Sequence, residues 1–245
     1  MYMIFAINTS TPQFSIALIE DQGILIEEYL ISPGRKNFRA FIPAVHSLFE
    51  STGSMIGDLR AIIVAMGPGS FTGLRVGLSA AKGIAHGLKI PLIWVSSLEA
   101  MAGQLPYTTY ILCAMISSRI GEIFAALFRS DHEHRVIRIM EDTSLRLKDL
   151  GSIIDGPTLF IGNDFNEQGD SIKDLIGKNA FLAPPHLWNI RASAVAALGL
   201  KRFLNNDFDD IRDLVPTYMR PPDIRPNPFP VMSGKQGSSF LGVRG

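Results

Sequence analysis

The chain has 245 residues and 47% of them are hydrophobic, so one large domain or two of modest size could bury a full core. Lys and Arg number 23 and Asp and Glu also number 23, which argues against a protein that holds nucleic acid alone by neutralising phosphates. No run approaches the roughly 18 apolar residues that span a bilayer, and no signal-peptide pattern precedes the first apolar segment. We therefore expect a cytoplasmic protein in which the only cysteine, Cys113, is a buried thiol.

The first part of the chain predicts a meander of three strands followed by a helix. Segments 3–8, 14–20 and 24–30 are rich in Ile, Phe and Leu and are separated by short polar turns, as in antiparallel strands. Apolar residues at helical spacing predict a helix over 36–51 that ends at Gly53, with a kink at Pro43.

A second group of elements follows this helix. A buried strand at 61–65 precedes a tight loop over 66–70 and a helix over 71–87. Strand 92–95 then leads to Ser96 and Glu99, which have the spacing of a helix capping box.

The second half of the chain repeats this order. Strands are predicted at 110–116, 122–128 and 134–140, a short helix at 145–154, a strand at 158–161 and an Ala-rich helix over 191–204. This α/β order matches a duplicated ribonuclease-H-like fold, as in the actin, sugar-kinase and Hsp70 superfamily, where a nucleotide binds between the halves. We expect an N-terminal half over 1–100, a C-terminal half over 101–220, and a disordered Pro/Gly/Ser-rich tail over 221–245.

A glycine-rich segment lies between the strand at 61–65 and the helix at 71–87. It consists of Gly67, Pro68, Gly69, Ser70, Phe71, Thr72 and Gly73. It fits neither a P-loop, a dinucleotide fingerprint nor a nucleophile elbow, because the required Lys, third Gly and central Ser are absent. Two interpretations stay open: backbone N–H groups that bind an anion, or a structural loop in which glycines supply positive φ and Ser70 caps the helix.

The helices at 36–51 and 71–87 carry more apolar and small residues than one sheet face needs. The second has a seam of small residues that includes Gly73, Gly77 and Ala81, and each interior glycine costs about 1 kcal/mol relative to alanine. Close approach of another backbone would compensate, either from the domain's own sheet or from another subunit. The predicted partner interface comprises Phe38, Phe41, Ile42, Val45, Phe49, Leu74, Arg75, Gly77, Leu78 and Ala81. If it is correct, Gly77→Leu abolishes partner binding and leaves the monomer folded.

The segment Gly67-Pro-Gly-Ser-Phe-Thr-Gly-Leu-Arg-Val-Gly77 resembles the signature of the TsaB (YeaZ) family. Segments 4–10 and 90–99 and the closing Pro216-Thr-Tyr-Met-Arg220 are similar to other parts of that family, so the resemblance covers 1–220. It implies a non-catalytic paralogue of TsaD, the enzyme that transfers threonylcarbamoyl to the adenosine beside the anticodon in tRNA. The implied partners are a TsaD-like transferase, bound as a heterodimer through a four-helix bundle of the first two helices of each N-terminal half, and a TsaE-like ATPase. A homodimer of the free chain is left open, and tRNA contact is expected only through the complex.

The sequence departs from the family pattern at three places. Asn8-Thr9-Ser10 replaces Asp-Thr-Ser, Ser117-Ser118-Arg119 replaces Asp-Ala-Arg, and Asn37 replaces a His. In the superfamily such aspartates hold Mg²⁺ and orient phosphate-bound water, so their absence argues against ATP hydrolysis and leaves open only weak ATP or ADP binding.

Other functions find less support. The sequence offers no catalytic set and no metal site, because His46, His86 and His186 are isolated and the pair His132 and His134 straddles a polar turn. A nucleotide-binding phosphotransferase or ATPase of the same superfamily is the alternative, and a peptidase is the least favoured reading. An independent tRNA-binding module would need a basic stripe with aromatics, for which 35–39 is the nearest segment.

Overall fold

Each half of the chain contributes one mixed five-stranded sheet, and the computed structural model describes residues 2–32 and 38–219. The first half contains β1 Met3–Asn8, β2 Phe14–Glu20, β3 Leu25–Ile31, α1 Phe41–Thr52, β4 Leu59–Ala65, α2 Phe71–Leu88, β5 Leu92–Val95 and α3 Ser97–Ala102. The second contains β6 Ile111–Ser117, β7 Glu122–Ser130, β8 Val136–Arg146, β9 Thr158–Gly162, α4 Phe165–Ile176, β10 Ala180–Leu182 and α5 Ala192–Leu204. Short 3-10 helices occur at Ile56–Asp58, Leu147–Ile153, Gly177–Asn179 and Pro185–Leu187.

The two sheets have the same topology. The strand order is β3-β2-β1-β4-β5 in the first and β8-β7-β6-β9-β10 in the second. In each sheet the first three strands are antiparallel, and the last two run parallel to the central strand. Parallel strands require crossover connections, which here contain helices. The repeated order confirms the predicted duplication and the α/β class.

Three hydrophobic clusters hold the layers together. The two inner sheet faces enclose α3 and α5, while α1 and α2 cover the outer face of the first sheet and α4 covers that of the second. The inner helices cross over, because α3 packs on β6 and β7 whereas α5 packs on β1 and β2. Each half therefore contributes a helix to the other half's sheet. The boundary at residue 100 stays a prediction, and α3 spans it.

The first helix differs from its prediction at the N-terminal end. α1 begins at Phe41, and the predicted start at 36 lies outside the described residues. Pro43, expected inside the helix, lies instead in its first turn, where a backbone N–H has no helical acceptor to lose. Gly53 ends the helix in the left-handed conformation, as predicted.

In the second half two elements were not predicted from the sequence, and a third, predicted as a helix, is a 3-10 helix. α4 has few apolar residues and contains Gly169, whose missing side chain lets Leu182 of β10 pass close by. β10 has only three residues, too few for a periodic signal. The helix expected over 145–154 is a 3-10 helix that packs on α4. The proposed tail lies outside the described residues.

Candidate functional site

A cleft of about 790 Å³ lies between the two halves. Its walls form where β1, β4, β6 and β9 end, and the carboxyl ends of parallel strands are where open α/β sheets place their ligands. The lining residues are Ser10, Pro12, Gly69, Ser70, Phe71, Thr72, Ser117, Ser118, Arg119, Phe124, Asn163, Asp164, Thr217, Tyr218 and Met219.

The glycine-rich segment packs closely against the turn after β1. A Cβ at Gly69 would overlap the carbonyl oxygen of Ser10, and one at Gly73 would overlap that of Thr9. The backbone N–H of Ser70 donates to the Ser10 carbonyl at 2.7 Å, and the Thr9 hydroxyl donates to the Gly73 carbonyl at 2.8 Å. These glycines therefore allow two backbone segments to come together.

Several N–H groups of this segment already have protein acceptors. Gly67 donates to the hydroxyl of Ser97 at 3.1 Å, and Gly73 donates to the hydroxyl of Ser70 at 3.2 Å. Ser70 thus caps α2, as one of the two interpretations expected. Anion binding would have to use the remaining N–H groups at the start of α2, and it stays a prediction.

Asn8, at the end of β1, is fully buried and forms hydrogen bonds in four directions. Its Oδ1 accepts from the backbone N–H of Ser10 at 3.1 Å and from the Ser10 hydroxyl at 2.6 Å. Its Nδ2 donates to the carbonyl of Ile190 at 3.2 Å and to the Thr11 hydroxyl at 3.4 Å. The amide is therefore committed to the protein and does not face the cleft as a free metal ligand.

The opposite wall contains polar residues that we did not predict. The backbone N–H of Ser117 donates to Asn163 Oδ1 at 2.8 Å, and Gln168 Nε2 lies 3.4 Å from a carboxylate oxygen of Asp164. Asp164 is the only carboxylate in the lining of this cleft, among the described residues. The sequence did contain a signal for these cleft residues, because a polar Asn-Asp pair follows the strand that was predicted at 158–161.

A closing segment, residues 215–219, returns from α5 to the start of α2. Its Thr217 N–H donates to the carbonyl of Met66 at 2.9 Å. The Arg75 guanidinium lies 3.9 Å from the centre of the Phe71 ring, and its Nε donates to the Tyr218 hydroxyl at 2.9 Å. The rings of Phe71 and Tyr218 are 4.9 Å apart. Arg75, predicted at the partner interface, thus contacts the chain's own closing segment.

Most of the predicted interface residues lie inside the N-terminal half's own core. Phe41, Val45, Phe49, Leu74, Gly77, Leu78 and Ala81 are buried there. Most of these side chains cover the first sheet from α1 and α2, and the contact with a partner predicted for them stays a prediction. The seam also faces inward, since a Cβ at Gly77 would overlap the hydroxyl of Thr9. Gly77→Leu should therefore disturb the fold itself.

A different face of the same two helices is open. Ile42 is 68% exposed and Arg75 is exposed, whereas Phe38 precedes α1, is half-buried and packs against the core. On α2 a Cβ at Gly83 or Gly87 would meet nothing within 4 Å. We call the exposed or half-buried residues Ile42 and His46 of α1 and Val76, Ala80, Gly83 and Gly87 of α2 the outer helix face.

A second cavity, of about 610 Å³, lies beside the first and shares Thr217 and Met219 with it. It is lined by ion pairs, in which Arg138 contacts Asp142 and lies 3.7 Å from Glu99. Burial raises the pKa of Asp142, although Arg138 opposes this effect. Hydrogen bonds that Arg202 donates to the carboxylates of Asp207 and then Asp209 raise the pKa of its guanidinium. Both arginines already have carboxylate partners.

In the described part of the chain the histidines are not grouped as metal ligands. His132 and His134 belong to the turn between β7 and β8, where the ring of His134 lies 4.5 Å from that of Tyr107. Within residues 2–32 and 38–219 no group of three His, Cys, Asp or Glu is placed to hold a metal ion. Cys113 is buried, as predicted, and burial raises the pKa of its thiol. None of the helices in these ranges is both long and apolar enough to cross a membrane.

Comparisons with known proteins agree with this architecture. Residues 34–208 match the family model "TsaD: tRNA N6-adenosine threonylcarbamoyltransferase". The tRNA threonylcarbamoyladenosine biosynthesis protein TsaB of Bacillus subtilis is 32% identical over 221 residues, which are 89% of this chain and 93% of the relative.

Two solved structures share the fold. YeaZ from Pseudomonas aeruginosa has a TM-score of 0.75 at 20% identity, covering 89% of this chain and 100% of that one. The ethanolamine utilization protein EutJ from Carboxydothermus hydrogenoformans has a TM-score of 0.51 at 13% identity, covering 81% of this chain and 91% of that one. The fold is the duplicated ribonuclease-H-like fold of the actin, sugar-kinase and Hsp70 superfamily, as predicted. By the extent of its match to TsaB and to the TsaD model, the chain belongs to the TsaB (YeaZ) family, a paralogous branch of the TsaD-like proteins.

Proposed function

We propose that this protein is a non-catalytic scaffold subunit for threonylcarbamoylation of the adenosine beside the anticodon in tRNA. In this role it binds and activates a TsaD-like transferase in the cytoplasm. The relative from Bacillus subtilis is named a tRNA threonylcarbamoyladenosine biosynthesis protein, and the matching family model is that of the transferase.

The hydrogen bonds of the Asn8 amide are the strongest support for a non-catalytic role. A superfamily enzyme needs a carboxylate here to hold Mg²⁺, and Asn8 instead uses both amide atoms in bonds to the protein. Across the cleft, Ser117 provides a hydroxyl in place of the second expected carboxylate. Nucleotide binding of this cleft should therefore be weak, and hydrolysis should be absent.

The outer helix face is the surface we propose for the transferase. Exposed apolar Ile42 lies on α1, while Gly83 and Gly87 leave open space on α2 into which another helix could fit. Small residues allow helices to approach closely. Packing against the partner's helices in a four-helix bundle would therefore offset the free-energy cost of the glycines inside α2. A TsaE-like ATPase joins the resulting complex, and tRNA is contacted through it. A second copy of this chain is the alternative occupant when the transferase is absent.

The test is to mix the chain with the TsaD-like protein of the same organism and to measure masses by size-exclusion light scattering. We expect a complex of equal stoichiometry. Gly83→Arg should abolish it, because a long charged side chain would fill the open space without touching the monomer core. Asn166→Arg, at an exposed position on α4, is the matched control and should bind normally.

Two results would count against the proposal. Equal binding by Gly83→Arg and the control would move the interface away from the outer helix face. If no complex forms and the chain alone hydrolyses ATP, the superfamily phosphotransferase or ATPase becomes the better assignment.

A further inference from the structure

Three polar residues on the inner face of the first sheet hold the segment that enters α5. Asn8 of β1 and Ser15 of β2 are paired across the sheet, and both are fully buried. Glu28 of β3 has a side chain that is only 5% exposed. On a face otherwise covered by apolar side chains, such groups are costly unless each has a partner.

All three bind residues 190–193. The carbonyl of Ile190 accepts from Asn8 Nδ2 at 3.2 Å and from the Ser15 hydroxyl at 2.8 Å. One oxygen of Glu28 accepts from the Ser193 N–H at 2.8 Å and from its hydroxyl at 2.9 Å. The other oxygen pairs with Arg191 at 3.2 Å.

We propose that Asn8, Ser15 and Glu28 form an interdomain clasp that positions the first turn of α5 on the N-terminal sheet. α5 comes from the C-terminal half, and its N-cap residue, Arg191, provides no side-chain cap. Glu28 caps the helix from another strand instead, and its charge is favourable at a helix N-terminus. Further along α5, Gly199 packs directly on Ile63, so the clasp fixes the start of the helix and not its whole length.

The clasp requires an amide at position 8 and would be weakened by a carboxylate. One carboxylate oxygen could still accept from Ser10, as Oδ1 does. The other would face the Ile190 carbonyl, and the Thr11 hydroxyl could not help because it donates to Gln13 at 2.8 Å. The departure from Asp at this position is therefore a structural requirement of this chain as well as a loss of a metal ligand.

The first test is hydrogen exchange of the α5 amides in the free full-length chain. Ser15→Ala removes the shorter of the two bonds to the buried Ile190 carbonyl, and exchange of the 192–195 amides should rise about 10- to 100-fold, since only the bond from Asn8 then opposes local opening there. The matched control is Thr158→Val, which removes a buried hydroxyl that bonds only to Gly156 in its own half, at 2.9 Å. It should leave α5 exchange unchanged. Equal rates in wild type and Ser15→Ala would overturn the clasp.

The second test uses pH, which separates a charge effect from simple loss of packing. In Asn8→Asp the second oxygen of the buried carboxyl lacks a donor and faces the Ile190 carbonyl, so we expect its folded pKa to lie above the unfolded value of about 3.9. The stability of Asn8→Asp relative to wild type is then retained at low pH and lost as the pH rises through the folded pKa of the carboxyl. The charged groups at this junction are Glu28 and Arg191, which are paired with each other, and Arg119 and Asp164 line the adjacent cleft.

We expect denaturation midpoints of Asn8→Asp to approach wild type at pH 5 and to fall below it at pH 8. Asn8→Ala, which has no titrating group, should show a deficit of constant size. A pH-independent difference for both variants, or a wild-type midpoint for Asn8→Asp at pH 8, would contradict a role for the amide.

Discussion

Gly77 and Gly83 lie on the same helix but have different surroundings, which gives a prediction at the scale of single residues. Gly83→Ala should stabilise the free chain by about 1 kcal/mol, because its Cβ meets nothing and alanine is the better helix former. Gly77→Ala should destabilise it by about 1–3 kcal/mol, because its Cβ would overlap the Thr9 hydroxyl. Urea denaturation of both variants measures the two changes. If Gly77→Ala is also stabilising, the inward seam is packed less closely than described.

At the scale of elements, the closing segment and α2 should stabilise each other through Tyr218. Tyr218→Phe keeps the ring against Phe71 and loses the bond from Arg75, whereas Tyr218→Ala loses both contacts. Exposed hydrogen bonds contribute little and buried ring area contributes more, so we expect a clear effect only for alanine. The measurement is exchange of the Thr217 N–H, which donates to Met66. An equal rise in exchange above wild type in the two variants would make the hydrogen bond, and not the ring, the main contact.

For the whole molecule, ATP should stabilise the free chain only slightly. With about 1 mM ATP and Mg²⁺, a dissociation constant near 1 mM adds about 0.4 kcal/mol, whereas one near 10 μM adds about 2.7 kcal/mol. We expect the smaller value, because Asn8 and several loop N–H groups are already bonded within the protein. Thermal denaturation with and without ATP checks it. The larger value would favour the phosphotransferase or ATPase and would require another metal ligand.

Much of the fold followed from local patterns in the sequence. The strands of the first sheet are short apolar runs between polar turns, and Gly53 and Ser70 mark helix ends by their own backbone and side-chain chemistry. The repeated order of elements predicted the duplication. α4 escaped because its few apolar residues lie around a glycine that only its packing on β10 explains.

What the sequence determined by itself was therefore the order of most elements, the family resemblance and the glycine-rich loop, since these depend on residues close together in the chain. Only the tertiary structure decided which side of α1 and α2 is free, because burial depends on contacts with strands far away in sequence. Most of the large apolar residues expected at an interface are buried in the free chain, whereas Ile42, Gly83 and Gly87 are exposed. The same holds for Asn8, which reads as a missing metal ligand until Ile190, distant in the chain, supplies its hydrogen-bond partner.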